Sequence, residues 1–163
     1  MMTPTNPDLA WLDQALDLAI ANVDAGGGPF GAVVVRDGGA VAVGQNRVTR
    51  DLDPTAHAEV VAIRAACRAL DTFALDGCTL YASCEPCPLC LASSLWARLD
   101  RVVYAADRHD AARGGFDDLA FYDLFGEDRD TWPMPVTVAV PAGATAAAAP
   151  FDKWLATAAR THY

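Results

Sequence analysis

Two short motifs rich in metal-ligand side chains constrain the fold of this chain more than any other feature. The first is His57–Glu59 and the second is Pro86–Cys90, and the stretch between them is long enough for another helix and strand. Cys87 and Cys90 stand three positions apart, so that on a helix their thiols share a face. With the imidazole of His57 they form a set of nitrogen and sulfur ligands that zinc accepts. The fold must therefore bring the two motifs together.

Three protein ligands leave the fourth position of a tetrahedral zinc open, as in a catalytic centre, and a water bound there becomes more acidic. Glu59 is then the candidate proton carrier. Glu59 and His57 are two residues apart, roughly 200° of rotation on a regular helix. Both can face one point only if His57 lies in a distorted first turn or just before the helix. Pro88 fits the first turn of a second helix, whose positive end favours the thiolate form of Cys87 and Cys90.

Other interpretations of these motifs remain open. Cys84 could be a fourth ligand, which would make a closed structural zinc site. Cys84, Cys87 and Cys90 also resemble the start of an iron–sulfur run, but that run needs a cysteine at position 94, where the chain has Ser94. We expect Cys84 to end a strand and to point into the core. Cys67 and Cys78 are assigned to the core as well.

The apolar periodicity alternates between helix and strand, which predicts an α/β domain with helices on both faces of one sheet of about five strands. The first expected element is a helix capped by Asp8, with the apolar residues Leu9, Leu12, Leu16, Ile20 and Val23 on one face. A hairpin of Ala32–Arg36 and Ala40–Asn46 around Asp37–Gly39 follows, and then a helix Ala56–Leu70, a strand Thr79–Ser83, a helix Pro88–Ala97 and a strand Arg101–Ala105. The C-terminal part is expected to contain a loop Asp107–Asp118, a strand Val136–Val140, a connector Pro141–Pro150 and a terminal helix Phe151–Arg160.

Length and charge limit the class of protein. With 163 residues the chain is expected to form a single domain, 1–163, in which 141–163 is a connector and C-terminal tail. The net charge of -9 argues against a nucleic-acid partner, since that affinity comes from basic side chains. No apolar run is long enough to span a membrane, the N-terminus lacks a secretory signal, and clustered cysteines suit a reducing compartment, so a cytoplasmic location is expected.

The two motifs, in this order, resemble the zinc-dependent cytidine and deoxycytidylate deaminase superfamily. Within it, the chain is most similar to the small bacterial guanine deaminases, and the resemblance covers nearly its whole length. The stretches that carry it are Gly28–Ala32, Gly44–Asn46, Asp53–Glu59, Ser83–Cys90, Trp96–Arg98, Gly115–Asp118 and Tyr163.

The resemblance implies hydrolytic removal of an amino group from a free nucleobase, with guanine giving xanthine and ammonia. It assigns His57, Cys87 and Cys90 to zinc and proton transfer to Glu59. It further implies four substrate-binding residues: Phe30 stacking on the purine, Asn46 and Asp118 bonding its edge, and Tyr163 closing the pocket. In this family the C-terminal segment can cross to the partner subunit of a homodimer.

Several alternatives stay open at this point. Guanosine, cytosine-type and aminotriazine (ammeline-like) deaminases would share the same zinc motifs. A zinc-stabilised binding module without catalysis is the alternative of another class. Asp117 and Asp118 could both cap a following helix, with only one of them facing the site. His109 and His162 receive no role.

Overall fold

The computed structural model of the chain describes residues 6–139 and 147–161, which fall into two compact units divided after Phe125. The first unit contains α1 (Asn6–Asp24), β1 (Gly31–Arg36), β2 (Gly39–Gln45), α2 (Val48–Asp51), α3 (Ala58–Ala69), β3 (Cys78–Cys84), α4 (Pro88–Trp96), β4 (Arg101–Ala106), α5 (Arg108–Arg113) and α6 (Asp118–Leu124). The second unit contains a 3-10 turn (Arg129–Thr131) and the helix α7 (Ala149–Ala156).

The sheet has the strand order β2-β1-β3-β4. Strands β1 and β2 form the expected antiparallel hairpin, and the positive φ angles of Asp37 (51°) and Gly38 (74°) are those of the tight turn that matches strand twist. Strand β3 runs antiparallel to β1 and parallel to β4, to which α4 connects it. The predicted α/β class is confirmed, with four strands in the described part of the sheet.

Helices cover both faces of this sheet. Along β1, Ala32 and Val34 face the cluster that includes α3, whereas Val33 and Val35 face the cluster that includes α1. This alternation with period two buries a strand on both sides, which explains its continuous apolar sequence. The three-layer arrangement predicted from the sequence is therefore confirmed.

The contact face of α1 is not the apolar row that the sequence shows at helical spacing. Of those five apolar residues only Leu12 is buried, and its buried companions include Ala15 and Ala19. The small side chains let α1 come so close to β1 that a Cβ on Gly31 would lie 2.4 Å from the Ala15 carbonyl oxygen. The outer row is exposed or only partly covered: Leu9, Leu16, Ile20 and Val23.

Asp8 does not cap α1 as predicted, because the helix already begins at Asn6. Its carboxylate is buried and accepts hydrogen bonds from the Tyr81 hydroxyl (2.6 Å) and from Arg101. A buried carboxylate needs such partners to offset its lost hydration. Asp8 thus ties α1 to β3 and β4.

Two predictions fail in the C-terminal half. The expected loop Asp107–Asp118 contains α5, which Asp107 caps by accepting hydrogen bonds from the backbone of His109 and Asp110 at 2.9 Å. No strand forms over 136–139, the described part of Val136–Val140, and most of the predicted connector lies outside the described residues. The terminal helix α7 begins before Phe151 and ends at Ala156. None of the described helices is long and apolar enough to cross a membrane.

Candidate active site

The predicted metal ligands lie where two helices begin. His57 is the N-cap of α3 and Cys87 the N-cap of α4, and both have extended backbone angles. Pro88 occupies the first turn of α4, where its missing N–H costs nothing, and Cys90 is buried in the same turn. His57 therefore lies just before its helix rather than within it. In this position its side chain can face the same point as that of Glu59, as the sequence required.

The three ligand atoms have the spacing of a tetrahedral zinc site. His57 Nδ1 lies 3.5 Å from the sulfur of Cys87 and 3.5 Å from that of Cys90, and the sulfurs are 3.7 Å apart. Zinc bonds of about 2.3 Å to sulfur and about 2.0 Å to nitrogen, at tetrahedral angles, require about 3.8 Å between sulfurs and about 3.5 Å between sulfur and nitrogen. The donor set fits zinc in both chemistry and spacing.

Cys84 is not part of this group within the described residues. It ends β3 as predicted, is buried, and its Sγ lies 3.5 Å from the carbonyl oxygen of Asp107. Burial raises the pKa of the Cys84 thiol to about 11. Cys84 therefore packs in the core, and among the described residues the group that could hold a metal has three members.

The electrostatics of the two cysteine ligands favour a thiolate. The hydrogen bond with Cys90 and the nearby imidazole of His57 lower the pKa of Cys87 to about 4. The same bond raises the pKa of Cys90. A thiolate is the form that binds a metal.

Glu59 lies in the first turn of α3, with 7% of its surface exposed, and it lines the same pocket as His57 and Cys87. Burial is the largest influence on this carboxyl, and it raises the pKa of Glu59 to about 7. A carboxyl with a pKa near neutrality can both accept and release a proton under ordinary conditions. Its position and chemistry suit the proton carrier that the sequence suggested.

A pocket of about 230 Å³ opens onto these groups. Phe30 and Phe116 form one wall of it, with ring centroids 4.8 Å apart in an edge-to-face arrangement. The lining residues are Gly28, Phe30, Asn46, Val48, Thr49, His57, Glu59, Glu85, Cys87, Phe116, Asp117 and Asp118.

The predicted edge-binding residues Asn46 and Asp118 both line this pocket. The Asn46 Oδ1 accepts a hydrogen bond from the Val48 backbone at 3.2 Å, which leaves its Nδ2 as the donor group. Asp118 is the first residue of α6 and is half-buried, and burial raises its pKa. Asp117 is exposed and makes no capping bond. Tyr163 and His162 lie outside the described residues.

A group of side chains that the sequence did not indicate joins α5 and α6 to the turn that carries Cys87. Arg108 bonds the carboxylate of Glu85 through its Nε at 3.0 Å, and its guanidinium stacks 3.5 Å from the centroid of the Tyr122 ring. The Tyr122 hydroxyl donates to the carbonyl of Pro86 at 2.5 Å. Tyr122 and Asp118 share α6, so this group holds that helix against the turn that carries Cys87. The spacing of Asp107 and Asp110 was the one signal that could have indicated α5.

Comparisons with known proteins agree with this geometry. Residues 5–106 match the family model described as the cytidine and deoxycytidylate deaminase zinc-binding region. A guanine deaminase of Bacillus subtilis is 50% identical over 148 residues, which cover 88% of this chain and 91% of that protein. A tRNA-specific adenosine deaminase of Aquifex aeolicus is 40% identical over 96 residues, covering 59% of this chain and 64% of that protein.

Solved structures give the same result. The X-ray structure of guanine deaminase from Bacillus subtilis superimposes with a TM-score of 0.88 at 46% identity, covering 94% of this chain and 97% of that one. A structure of guanine deaminase from Nitrosomonas europaea gives a TM-score of 0.65 at 36% identity, covering 72% of this chain and 68% of that one.

The chain belongs to the cytidine and deoxycytidylate deaminase family, because the zinc-binding region of that family spans most of its length. It is a zinc-dependent aminohydrolase, similar over almost its whole length to a bacterial guanine deaminase.

Proposed function

We propose that the protein hydrolyses guanine to xanthine and ammonia. The observation that carries this proposal is a single pocket in which His57, Cys87 and Glu59 adjoin Phe30, Asn46 and Asp118. The chain that forms this pocket aligns nearly end to end with a guanine deaminase. Aromatic walls and a few placed polar groups are what a flat, polar-edged heterocycle requires.

Zinc, when bound by His57, Cys87 and Cys90, supplies a Lewis acid that makes water a nucleophile at neutral pH. The side chains of the chain perform the proton transfers. Glu59 takes a proton from the attacking water as the new C–O bond forms at the ring carbon. It then delivers a proton to the departing amino nitrogen as the C–N bond breaks, so that ammonia leaves.

Asn46 and Asp118 select and orient the ring. The Nδ2 group of Asn46 donates to an acceptor on the purine edge, and the Asp118 carboxylate accepts from ring N–H groups. Adenine presents an unprotonated ring nitrogen where guanine presents N–H, so Asp118 would meet an acceptor there. Leaving such a buried group unpaired costs about 1–3 kcal/mol, which is about tenfold or more in rate. Phe30 provides the stacking surface.

An ammonia-release screen tests the substrate. Zinc-loaded protein is incubated with guanine, guanosine, cytosine, cytidine, adenine and ammeline, and metal-depleted protein serves as the control. We expect guanine to be turned over fastest and the depleted protein to be inactive until zinc is restored. Faster turnover of guanosine, cytosine or ammeline would reassign the substrate. A protein that binds zinc and releases no ammonia from any of them would be a binding module.

The assembly and location of the protein form a further part of the proposal. We propose a cytoplasmic homodimer that acts on a small molecule without binding nucleic acid. The whole chain would act as one deaminase domain, and segment 141–163 would reach the partner subunit. The exposed apolar side chains of Phe151 and Leu155 on α7 support this, since such surfaces are usually covered in an assembly.

Removal of Thr161–Tyr163 tests the role of the tail. If Tyr163 closes a pocket, the shortened protein keeps its zinc and its dimer mass, measured by light scattering, but loses most of its turnover. Wild-type turnover would remove Tyr163 from the site. A monomeric mass for the complete chain would contradict the dimer.

A further inference from the structure

Asn22 is a buried polar side chain that the proposed chemistry does not use. It lies near the end of α1 with 0% of its surface exposed. Its Nδ2 donates to the carbonyl oxygen of Gly28 at 2.7 Å and to that of Asn46 at 2.8 Å. Gly28 and Asn46 both line the pocket. One side-chain amide thus joins the two stretches of chain that enter the pocket from the α1 side.

The surroundings of Asn22 hold this amide in one orientation. Both partners of Nδ2 are carbonyl oxygens, so the donor must point towards them, and Arg50 donates to Oδ1 at 3.3 Å. The Gly27 backbone N–H donates to the backbone carbonyl oxygen of Asn22 at 2.7 Å, so Gly27 lies directly over this residue. A Cβ on Gly27 would lie 2.5 Å from Nδ2, so a side chain there would displace the amide.

We propose that Asn22 is a positioning residue for substrate binding, acting through Asn46. The inference rests on the proposed function, in which the Asn46 amide contacts the ring edge. Without the Asn22 donor, the carbonyls of Gly28 and Asn46 lose a partner, and buried carbonyls move to regain one. The Gly28 backbone packs closely against the Asn46 side chain, since a Cβ on Gly28 would lie 3.2 Å from Asn46 Cγ. A movement of either backbone segment therefore shifts the Asn46 side chain as well.

The expected kinetic effect is on KM more than on kcat. Asn22 has no hydrogen bond to His57, Glu59 or the cysteine ligands, which lie on or before α3 and α4. A displaced Asn46 weakens ring binding while the proton carrier and the metal ligands keep their places. A role in stability alone would lower the melting temperature and leave KM unchanged.

The first experiment replaces the donor without changing the shape of the side chain. Asn22→Asp puts an oxygen where the Nδ2 group stands, and its matched control is Gln45→Glu. The Gln45 Nε2 donates to the Leu18 carbonyl at 2.8 Å, so it also joins β2 to α1, but it does not line the pocket. We expect Asn22→Asp to raise KM about tenfold with kcat and zinc content nearly unchanged, and Gln45→Glu to leave KM at the wild-type value.

A double-mutant cycle with Asn46→Ala distinguishes positioning from general destabilisation. If Asn22 acts through Asn46, Asn22→Asp changes KM by less than about twofold once Asn46 is alanine. A full tenfold change in both backgrounds, or no change in KM for the single variant, would overturn the proposal. If Asn22→Asp does not fold, Gly27→Ala displaces the same amide and takes its place in the cycle, with the same expected and contradicting results.

The cycle is read on whichever base the wild-type protein deaminates in the screen. A protein that prefers another base contradicts the proposed function, while the coupling of Asn22 to Asn46 is still measured on that base. If no base is turned over, calorimetric dissociation constants for guanine replace KM, so that the two failures remain distinguishable.

Discussion

Gly44 allows α3 to approach the sheet closely, and adding one methyl group there should damage both stability and the active site. A Cβ on Gly44 would lie 2.1 Å from the Ala58 carbonyl oxygen and 2.6 Å from the Ala62 backbone nitrogen. Ordinary contact begins at about 3.4 Å, and backbone atoms cannot rotate away as a side chain can, so α3 must move by on the order of 1 Å. Overpacking of this kind costs about 1–3 kcal/mol or more.

The same movement carries the N-terminus of α3, with His57 and Glu59, away from Cys87. A misplacement of about 1 Å at a reacting centre can cost on the order of 10²-fold in rate. We therefore expect Gly44→Ala to lower the urea midpoint, the zinc content and kcat/KM together. Gly39→Ala in the same strand is the control, because its Cβ would meet only the Arg36 carbonyl at 3.7 Å. Equal urea midpoints and equal kcat/KM for the two variants would refute this reasoning.

Three further predictions concern single side chains. Cys84→Ser should keep about one zinc per chain by elemental analysis, together with its activity; loss of the metal would make Cys84 a fourth ligand. Arg108 lowers the pKa of Glu85, so this ion pair stabilises the fold fully above the usual carboxyl pKa of about 4.3 and less as the pH falls through the lowered value. The urea midpoint of the wild type should accordingly fall more steeply between about pH 5 and about pH 3 than that of Glu85→Gln, and parallel curves would contradict this. Asp118→Ala should reduce the preference for guanine over adenine in ammonia release by about tenfold or more, whereas an unchanged ratio would remove Asp118 from selectivity.

The grouping of His57 with Cys87 and Cys90 was predictable because it follows from local rules. Pro88 fixes the first turn of α4, and the angular separation of His57 and Glu59 required His57 to precede its helix. The structure meets this condition by making His57 an N-cap. The hairpin followed in the same way, from Asp37 and Gly38 at positions that need positive φ.

Features that depend on long-range contacts were not predictable. Asp8 has the sequence position of a cap, but its partners Tyr81 and Arg101 come from strands far along the chain. The contact face of α1 follows small residues such as Ala15, which pack directly against the backbone at Gly31 in the neighbouring strand. The role proposed for Asn22 depends on the positions of the Gly28 and Asn46 carbonyl groups, and the apolar periodicity of a sequence does not predict such positions.

Ammonia release from guanine by Glu59→Gln tests the account most directly. The substitution keeps the size of the buried side chain and all three ligands, so the variant should fold and bind zinc as the wild type does. A positioned proton carrier contributes roughly 10²- to 10⁴-fold, and here one carboxyl serves both the attack and the departure of the amine. We therefore predict a loss of several orders of magnitude in kcat with zinc content unchanged. Turnover near the wild-type rate from the zinc-loaded variant would show that another group carries the proton, and would contradict the mechanism.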